Sequence, residues 1–208
     1  MTAALDHLVY AAHDLDAAVE QLTAGLGVRP SAGGQHVGVG TRNYLLSFGN
    51  GSYLEVIGPD DDQPAPPQPR PFGIDSLTTG RLVTWGMRVA DLDAVLLAAR
   101  NAGYDPGPAR AMSRATPTGE VLSWRLTTPP LGEDGGIIPF LIDWGATRHP
   151  STTATGGVTL ASLVAEHPDA GSVSFALHAL GAPLVVRAGP LPRLLARLSG
   201  PAGVVELS

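Results

Sequence analysis

An internal repeat is the feature of this sequence that most constrains its fold. The tetrapeptide Asp14–Ala17 recurs as Asp91–Ala94, at an offset of 91 − 14 = 77 residues. A strand-like apolar run precedes each copy, at 5–11 and at 81–89. After each copy, apolar residues return at i, i+3, i+4 and i+7, which is the spacing of a helix with one buried face. The repeat therefore predicts two units that each begin with a strand and continue into a helix.

Both predicted helices carry the same start and stop signals. Asp14 and Asp91 stand at the N-cap position, where a carboxylate accepts amide hydrogens that the first turn leaves unpaired. Each helix then runs into a glycine with a proline beyond it, in the segments GLGVRP and NAGYDP, which is a typical helix exit. The two aspartates thus predict where each helix begins.

Three strand candidates follow each helix, so both units have the order strand–helix–strand–strand–strand. In the first unit these candidates lie at 34–39, 41–48 and 52–58. In the second unit they lie at 109–115, 121–128 and 137–144. A Gly-Asn-Gly turn at 49–51 predicts a tight hairpin between the last two strands of the first unit. The chain is therefore predicted to belong to the α+β class.

The domain organisation follows from these units. Residues 1–58 form the first βαβββ module, 81–150 form the second, and a Pro-rich, charged linker at 59–80 joins them. Residues 151–208 predict a βαββ-like extension packed on the same domain. Its predicted elements are a strand at 158–167, a helix at 172–180, and strands at 183–188 and 203–208.

Composition excludes several classes of function. The 208 residues are 44% hydrophobic and 15% charged, as in a globular protein. The net charge is −6 and the 13 Lys and Arg residues are scattered, whereas nucleic-acid binding requires clustered basic residues. There is no cysteine, so metal ligands must come from His, Asp or Glu. Neither a signal peptide nor an apolar run near the ~20 residues of a membrane span is visible. We therefore expect a cytoplasmic protein without nucleic-acid or membrane partners.

Two polar residues inside apolar strands are the first candidates for a site. His7 lies in the first strand, and Glu55 lies between Leu54 and Val56 in the fourth. A carboxylate inside an apolar strand is unfavourable unless its charge is paired or bound to a metal. We therefore expect both side chains to face a site. The alternatives are a hydrogen-bonded core histidine at position 7 and a salt bridge from Glu55. That salt bridge would involve Arg42, Arg114 or Arg125.

Other residues extend this candidate site. His36 lies in the Gly-rich stretch GGQHVGVG, and two histidines with one carboxylate suit Fe(II), Zn, Mn or Ni. Arg42 and Asn43 follow on the next strand, where neighbours point to opposite faces, so we expect one of them to bind a substrate oxygen. The remaining predicted substrate-binding residues are Trp85 and Trp124, as core or pocket wall, and Arg125, as a pocket or inter-strand cation.

The combination resembles the vicinal oxygen chelate superfamily, which includes glyoxalases, extradiol dioxygenases, epimerases and bleomycin-resistance-type proteins. More narrowly, DHLVYAAHDLDAAV, GGQHVGVGTRNYLLSFGNGSYLEVIGPD and PFLIDWGATRHPS are similar to the glyoxalase-like domain family. The resemblance implies that the paired modules form a curved mixed sheet around a concave pocket. It also implies that ligands project into this pocket from the first and last strands of a module, here from His7 and Glu55.

The resemblance further implies an enzyme of isomerase, lyase or dioxygenase type. A divalent metal on His7, Glu55 and His36 would bind two neighbouring oxygens of a small substrate, with Glu55 and His7 as the catalytic residues. The second module departs from this pattern, because Thr84 stands where His7 would repeat and Ile142 aligns with Glu55. This departure supports an alternative, a metal-free protein that binds or sequesters a small molecule.

Three further expectations concern the second module and assembly. Asp143 is one residue off in register and is expected to face away from the pocket. His149 follows the last strand, from where it reaches back to the rim. A homodimer is compatible with the sequence.

Overall fold

Both repeats fold as the sequence predicts, each into a strand, a helix and three further strands. The computed structural model describes residues 4–116, 118–128 and 134–208. The first repeat comprises β1 (Ala4–Ala11), α1 (Leu15–Leu26), β2 (Ser31–His36), β3 (Thr41–Ser47) and β4 (Tyr53–Pro59). The second comprises β5 (Arg81–Arg88), α2 (Leu92–Asn101), β6 (Ala109–Ala115), β7 (Val121–Thr127) and β8 (Phe140–Asp143).

The eight strands of the two repeats close into one barrel with the strand order β1-β4-β3-β2-β6-β7-β8-β5. Within the repeats, β1 pairs in parallel with β4, and β5 pairs in parallel with β8. The repeats meet at an antiparallel pairing of β1 with β5 and, on the opposite side, at the pair Gln35–Ala115 of β2 and β6. The predicted α+β fold with a curved mixed sheet is therefore confirmed.

The two aspartates begin the helices at the predicted positions. A carboxylate oxygen of Asp14 accepts the amide hydrogen of Ala17 at 2.9 Å. Asp91 makes the equivalent bond with Ala94, also at 2.9 Å. Because each cap satisfies an amide that has no partner within the helix, it stabilises that helix start by about 1 kcal/mol.

The largest shift between prediction and structure in the first repeat is at β2. This strand was predicted at 34–39, and it occupies Ser31–His36. Residues 37–40 form a turn in which Gly38 and Gly40 have φ of 78° and 70°. Only glycine adopts such angles at little cost, so the two glycines end the strand.

The second repeat and the linker show smaller differences. Strand β8 is shorter than the predicted 137–144. The linker contains a short 3-10 helix at Pro71–Ser76, and a second one at Pro150–Thr152 follows β8.

The extension has one more strand than predicted. It comprises β9 (Thr159–His167), α3 (Ala170–Leu180), β10 (Val186–Ala188), β11 (Arg193–Gly200) and β12 (Gly203–Leu207). The missed strand is β11, in which Leu194, Ala196 and Leu198 are buried in alternation. The extension therefore repeats the βαβββ order, but its sheet order is β10-β9-β11-β12. Its β11 and β12 contact α1, and its α3 contacts α2.

Alternating side chains give the barrel wall two different faces. Leu8, Leu54 and Val56 point outward into the main apolar core, which the helices and the extension complete. His7 and Glu55, at the alternate positions, point into the barrel. The barrel interior is therefore the place where polar side chains can meet a ligand. Among the described residues, no helix is long and apolar enough to cross a membrane.

Candidate active site

The barrel interior holds a cavity of about 340 Å³. Most of its wall is apolar, and the aromatic part of that wall comes from Phe72, Phe140, Trp124 and Trp144. The imidazole, amide and carboxylate side chains that line the cavity belong to the first repeat. A concave, mostly apolar space with a few convergent polar groups is typical of a small-molecule site.

Five of the predicted site residues line this cavity. They are His7, His36, Asn43, Glu55 and Trp124. The first four come from β1, β2, β3 and β4, which are neighbours in the barrel. The strand order therefore brings together residues that are far apart along the chain.

Glu55 is the centre of the polar cluster. Its side chain is 12% exposed, and its Oε1 accepts a hydrogen bond from Asn43 Nδ2 at 2.5 Å. His7 Nε2 lies 3.5 Å from Oε2, and His36 Nε2 lies 3.9 Å from Oε1. A carboxylate held in this way, within an apolar cavity, is suited to accept and return a proton.

The ring of His7 is fixed by packing on both sides. Tyr53 stacks on it with ring centroids 4.7 Å apart, and Phe140 meets it edge-on at 5.3 Å. The absence of a side chain at Gly86 makes this possible, because a Cβ there would lie 2.9 Å from the Phe140 ring and 3.1 Å from His7 Cε1. His7 Nε2 is therefore held in one direction, toward Glu55.

Asp6 orients the same histidine, and sequence reasoning missed it. This carboxylate is fully buried and accepts three hydrogen bonds. They come from His7 Nδ1 at 2.6 Å, His149 Nε2 at 2.8 Å and Trp144 Nε1 at 3.0 Å. Burial opposes ionisation, but the hydrogen bonds from His149 and His7 outweigh it and hold the pKa of Asp6 well below its usual range. Asp6 is therefore a carboxylate that keeps the proton of His7 on Nδ1.

A register shift explains why the sequence did not point to Asp6. The pairing of β1 with β5 has an irregularity between Leu5 and His7, where Asp6 lies. Such irregularities re-aim side chains relative to strict alternation. The signal that was present is a second charged residue next to His7 in an otherwise apolar strand.

His36 contributes a neutral imidazole to the cavity. Its Nδ1 lies 3.0 Å from the hydroxyl oxygen of Thr41. Burial lowers the pKa of His36; the charge of Glu55 opposes this shift, and the charge of Arg114 reinforces it. The ring is therefore uncharged at neutral pH.

Replacing His36 with glutamine is expected to reduce the loss of stability on mild acidification. The unfolded chain protonates this histidine near a pKa of ~6.5, whereas burial keeps it neutral in the folded protein to lower pH. The unfolded state then binds more protons, so the free energy of unfolding falls as the pH drops below about 6.5. Urea unfolding at about pH 7.5 and about pH 5.5 measures the effect. The exposed His13→Gln variant is the control, and equal pH dependence of His36→Gln and the wild type would contradict the prediction.

Three predicted substrate-binding residues lie outside the cavity. Arg42 points away from Asn43 and pairs with Asp16 at 3.1 Å on the outer surface. Arg125 likewise points away from its neighbour Trp124. Alternation along β3 and β7 explains both corrections, because one neighbour of each pair faces the cavity.

Arg125 and Trp85 both have hydrogen-bond partners away from the cavity. Arg125 forms two hydrogen bonds with the carboxylate of Asp93, at 2.8 and 2.9 Å. Trp85 is 1% exposed in the main apolar core, where its Nε1 donates to the carbonyl oxygen of Ile137 at 2.7 Å. Of the two alternatives given for Trp85, core or pocket wall, the structure shows the core, and Trp144 lines the cavity beside Trp124.

The Arg125→Gln substitution is expected to leave both stability and ligand binding unchanged within error. The pair with Asp93 is exposed to solvent, and such ion pairs contribute little. Thermal unfolding and ligand titration of this variant measure the effect. A large loss of binding would place Arg125 in the site after all.

The second repeat offers neither an imidazole nor a carboxylate at the corresponding positions. In the first repeat, Glu55 of β4 is the strand partner of Val9 in β1. The residue 77 positions after Val9 is Gly86 in β5, and its partner in β8 is Phe140. The strand register therefore pairs Glu55 with Phe140 and corrects the alignment with Ile142. Thr84, at the position of His7, lines the cavity.

The two remaining candidates of the second repeat have different places. Asp143 lies between the cavity-lining Ile142 and Trp144 and is not itself part of the wall; its Oδ1 accepts the amide hydrogen of Gly145 at 2.8 Å. His149 reaches the site through its bond to Asp6. Asp143 thus faces away from the cavity, as expected. His149 does not line the cavity, and it contacts the site through Asp6.

The architecture and site define a barrel of paired βαβββ modules, the fold of the vicinal oxygen chelate superfamily. A family model described as Glyoxalase-like domain matches residues 5–181. The chain belongs to this glyoxalase-like domain family, which confirms the resemblance seen in the sequence. No curated protein matches the chain.

The chain is also similar to several solved structures. A hypothetical protein from Staphylococcus aureus aligns with a TM-score of 0.65 at 14% identity, over 99% of this chain and 85% of that chain. Methylmalonyl-CoA epimerase from Mycobacterium tuberculosis aligns with a TM-score of 0.43 at 23% identity, over 67% of this chain and 86% of that chain. A hypothetical protein from Bacillus halodurans C-125 has a TM-score of 0.45 and 12% identity, over 71% and 97% of the two chains. At 14% identity, the likeness to the Staphylococcus aureus protein concerns the fold alone.

Proposed function

We propose that this protein is an enzyme that transfers a proton on a small substrate, in an isomerase-type or lyase-type reaction, with Glu55 as the general base. The observation that carries this proposal is the placement of the Glu55 carboxylate. It faces an apolar cavity, and it lies between an amide donor and a histidine that a buried aspartate orients. A base that is desolvated and held in this way is effective in proton transfer.

The first step is removal of a proton from a carbon next to a carbonyl group. The C–H bond breaks, its proton moves to a Glu55 oxygen, and its electron pair shifts so that the carbonyl oxygen becomes an oxyanion. Asn43 keeps the carboxylate in position through its 2.5 Å bond. Arg114, which lines the same cavity, places a fixed positive charge in the space where the oxyanion develops, and fixed charges of this kind lower such barriers.

The second step returns the proton. Because Asp6 accepts the Nδ1 proton of His7, Nε2 is the nitrogen left to exchange a proton with Glu55 across 3.5 Å. Return of the proton to the other face, or to a neighbouring carbon, gives an isomer. Loss of a leaving group from the enolate instead gives a lyase reaction.

The predicted divalent metal would be held by His7, His36 and Glu55. Within the described residues, however, no group of three or more His, Asp or Glu side chains is arranged to hold a metal ion. Phe140 and Thr84 add neither an imidazole nor a carboxylate from the second repeat. The donor set in this arrangement does not fit a metal centre, and we derive no step through one.

Solvent deuterium exchange tests the proposal directly. The wild-type protein is incubated in D₂O with a panel of small carbonyl compounds that carry a second oxygen on the neighbouring carbon, such as 2-oxobutanoate and acetoin. Proton NMR then follows loss of the C–H signal next to the carbonyl. We expect catalysed exchange for at least one member, and no catalysis across the panel would contradict the proposal.

A binding protein without catalysis is the second candidate. The aromatic side chains of Trp124, Trp144 and Phe140 in the wall favour it, because such walls bind planar apolar molecules without any chemistry. Saturable binding of a panel member without exchange would support this second function.

A further inference from the structure

Arg114 is a buried cation without a carboxylate partner among the described residues. The residue is 6% exposed, while the rest of its strand β6 is exposed or half-buried. Its Nη1 donates to the carbonyl oxygen of Gly33. In the described ranges, no carboxylate oxygen lies within ion-pair distance of the guanidinium. The charge of Arg114 is therefore left for another group to balance.

The cavity is the place where an anion can reach Arg114. A buried charge is unfavourable unless an opposite charge compensates it, and Arg114 lines the cavity into which a ligand would bind. A guanidinium has five N–H donors in a planar fork, and one nitrogen is used by Gly33. Its planar geometry matches the two oxygens of a carboxylate.

A single negative charge suits this cavity better than two. Glu55 lies in the same wall and repels additional negative charge, so a monoanion balances Arg114 where a phosphate dianion would not. His36 Nε2 lies 3.9 Å from Glu55 Oε1, and Arg114 Nη1 donates to the carbonyl oxygen of Gly33 in the same strand β2. The anion-binding group and the base therefore both lie next to β2.

We infer that Arg114 binds the carboxylate group of the substrate, which is a small organic monoacid with an apolar body that packs on Trp124 and Phe140. This inference names the substrate class of the proposed proton-transfer site and rests on that proposed function. The volume of about 340 Å³ fits a compact acid, with its reacting carbon close to its carboxylate.

Isothermal titration calorimetry with a matched pair of probes tests the inference. Phenylacetate carries the carboxylate, and phenylacetamide is its neutral counterpart of equal shape. We expect wild-type protein to bind phenylacetate at least about tenfold more tightly, as one charge-assisted pair allows. Arg114→Gln should abolish this preference, and Arg114→Lys should retain part of it. Arg125→Gln, which removes an exposed arginine outside the cavity, should keep the whole preference.

Several outcomes would overturn the inference. Equal binding of the two probes by the wild type would do so without any variant, as would binding of neither probe at millimolar concentration. A folded Arg114→Gln protein that keeps the preference would do the same.

Glu55→Gln separates this inference from the proposed function. This variant should keep the preference for phenylacetate while losing deuterium exchange. Loss of exchange alone therefore concerns the base, and loss of preference alone concerns Arg114.

Discussion

Replacing Glu55 with glutamine is expected to slow deuterium exchange of the panel compound that the wild type turns over by about 10²- to 10⁴-fold. The amide keeps the shape of the side chain and an oxygen that can accept the hydrogen bond from Asn43. It cannot take up a proton at neutral pH. The fold should persist, because the change removes a charge from the cavity wall without opening a hole.

The control for this variant is Glu20→Gln. Glu20 lies on the exposed side of α1 and pairs with Arg29 at the surface, so its substitution should leave the exchange rate unchanged. Exchange by Glu55→Gln at the wild-type rate, with Glu20→Gln also unchanged, would remove Glu55 from the proposed mechanism.

Replacing Asp6 with asparagine is expected to destabilise the protein by about 3 kcal/mol. Both oxygens of the wild-type carboxylate accept hydrogen bonds. Oδ1 accepts from His7, and Oδ2 accepts from His149 and Trp144. Asparagine has a single carbonyl oxygen, so its amide hydrogens must face a former donor in a buried site. Urea unfolding at neutral pH measures the loss, and the exposed Asp16→Asn variant is the control.

The pH dependence gives the same prediction a second readout. The pKa of Asp6 is lowered in the folded protein, so the unfolded state binds more protons when the pH is below the unfolded value of ~3.9. The contribution of Asp6 to stability is therefore complete above that pH and declines as the pH falls below it. The stability gap between wild type and Asp6→Asn should stay constant down to about pH 4 and then narrow. A gap that does not respond to acid would contradict the role given to Asp6.

The fold was predictable because its signals are local and occur twice. Helix spacing after Asp14 and Asp91, together with the capping role of both residues, fixed the start of each helix correctly. Strand β11 was missed because the consecutive Leu194 and Leu195 mask the alternation of the buried Leu194, Ala196 and Leu198. The pairing of strands in the extension depends on contacts between distant segments, which periodicity does not encode.

The candidate site was predictable only in part. Alternation along strands predicts that His7 and Glu55 face the same pocket and that one of Arg42 and Asn43 does so, and in the structure His7, Glu55 and Asn43 line the cavity. Asp6 was missed because a register irregularity in β1 turns its side chain toward His149 and Trp144. Arg114 was considered only as a salt-bridge partner of Glu55. Asp6 accepts hydrogen bonds from His149 and Trp144, which are distant in the sequence, and Arg114 lines the cavity from the second repeat. The spacing of residues along the sequence does not reveal such long-range contacts.

We propose that Glu55 and His7, with His7 oriented by Asp6, transfer a proton in the barrel cavity without a metal centre. The measurement that tests it most directly is deuterium exchange by wild-type protein after treatment with a chelator, with elemental analysis of the same sample. We expect exchange to continue in metal-free protein and to be lost in Glu55→Gln. Exchange that stops on chelation and returns with added Zn, Mn, Ni or Fe(II) would contradict a metal-free mechanism and assign His7, His36 and Glu55 to a metal.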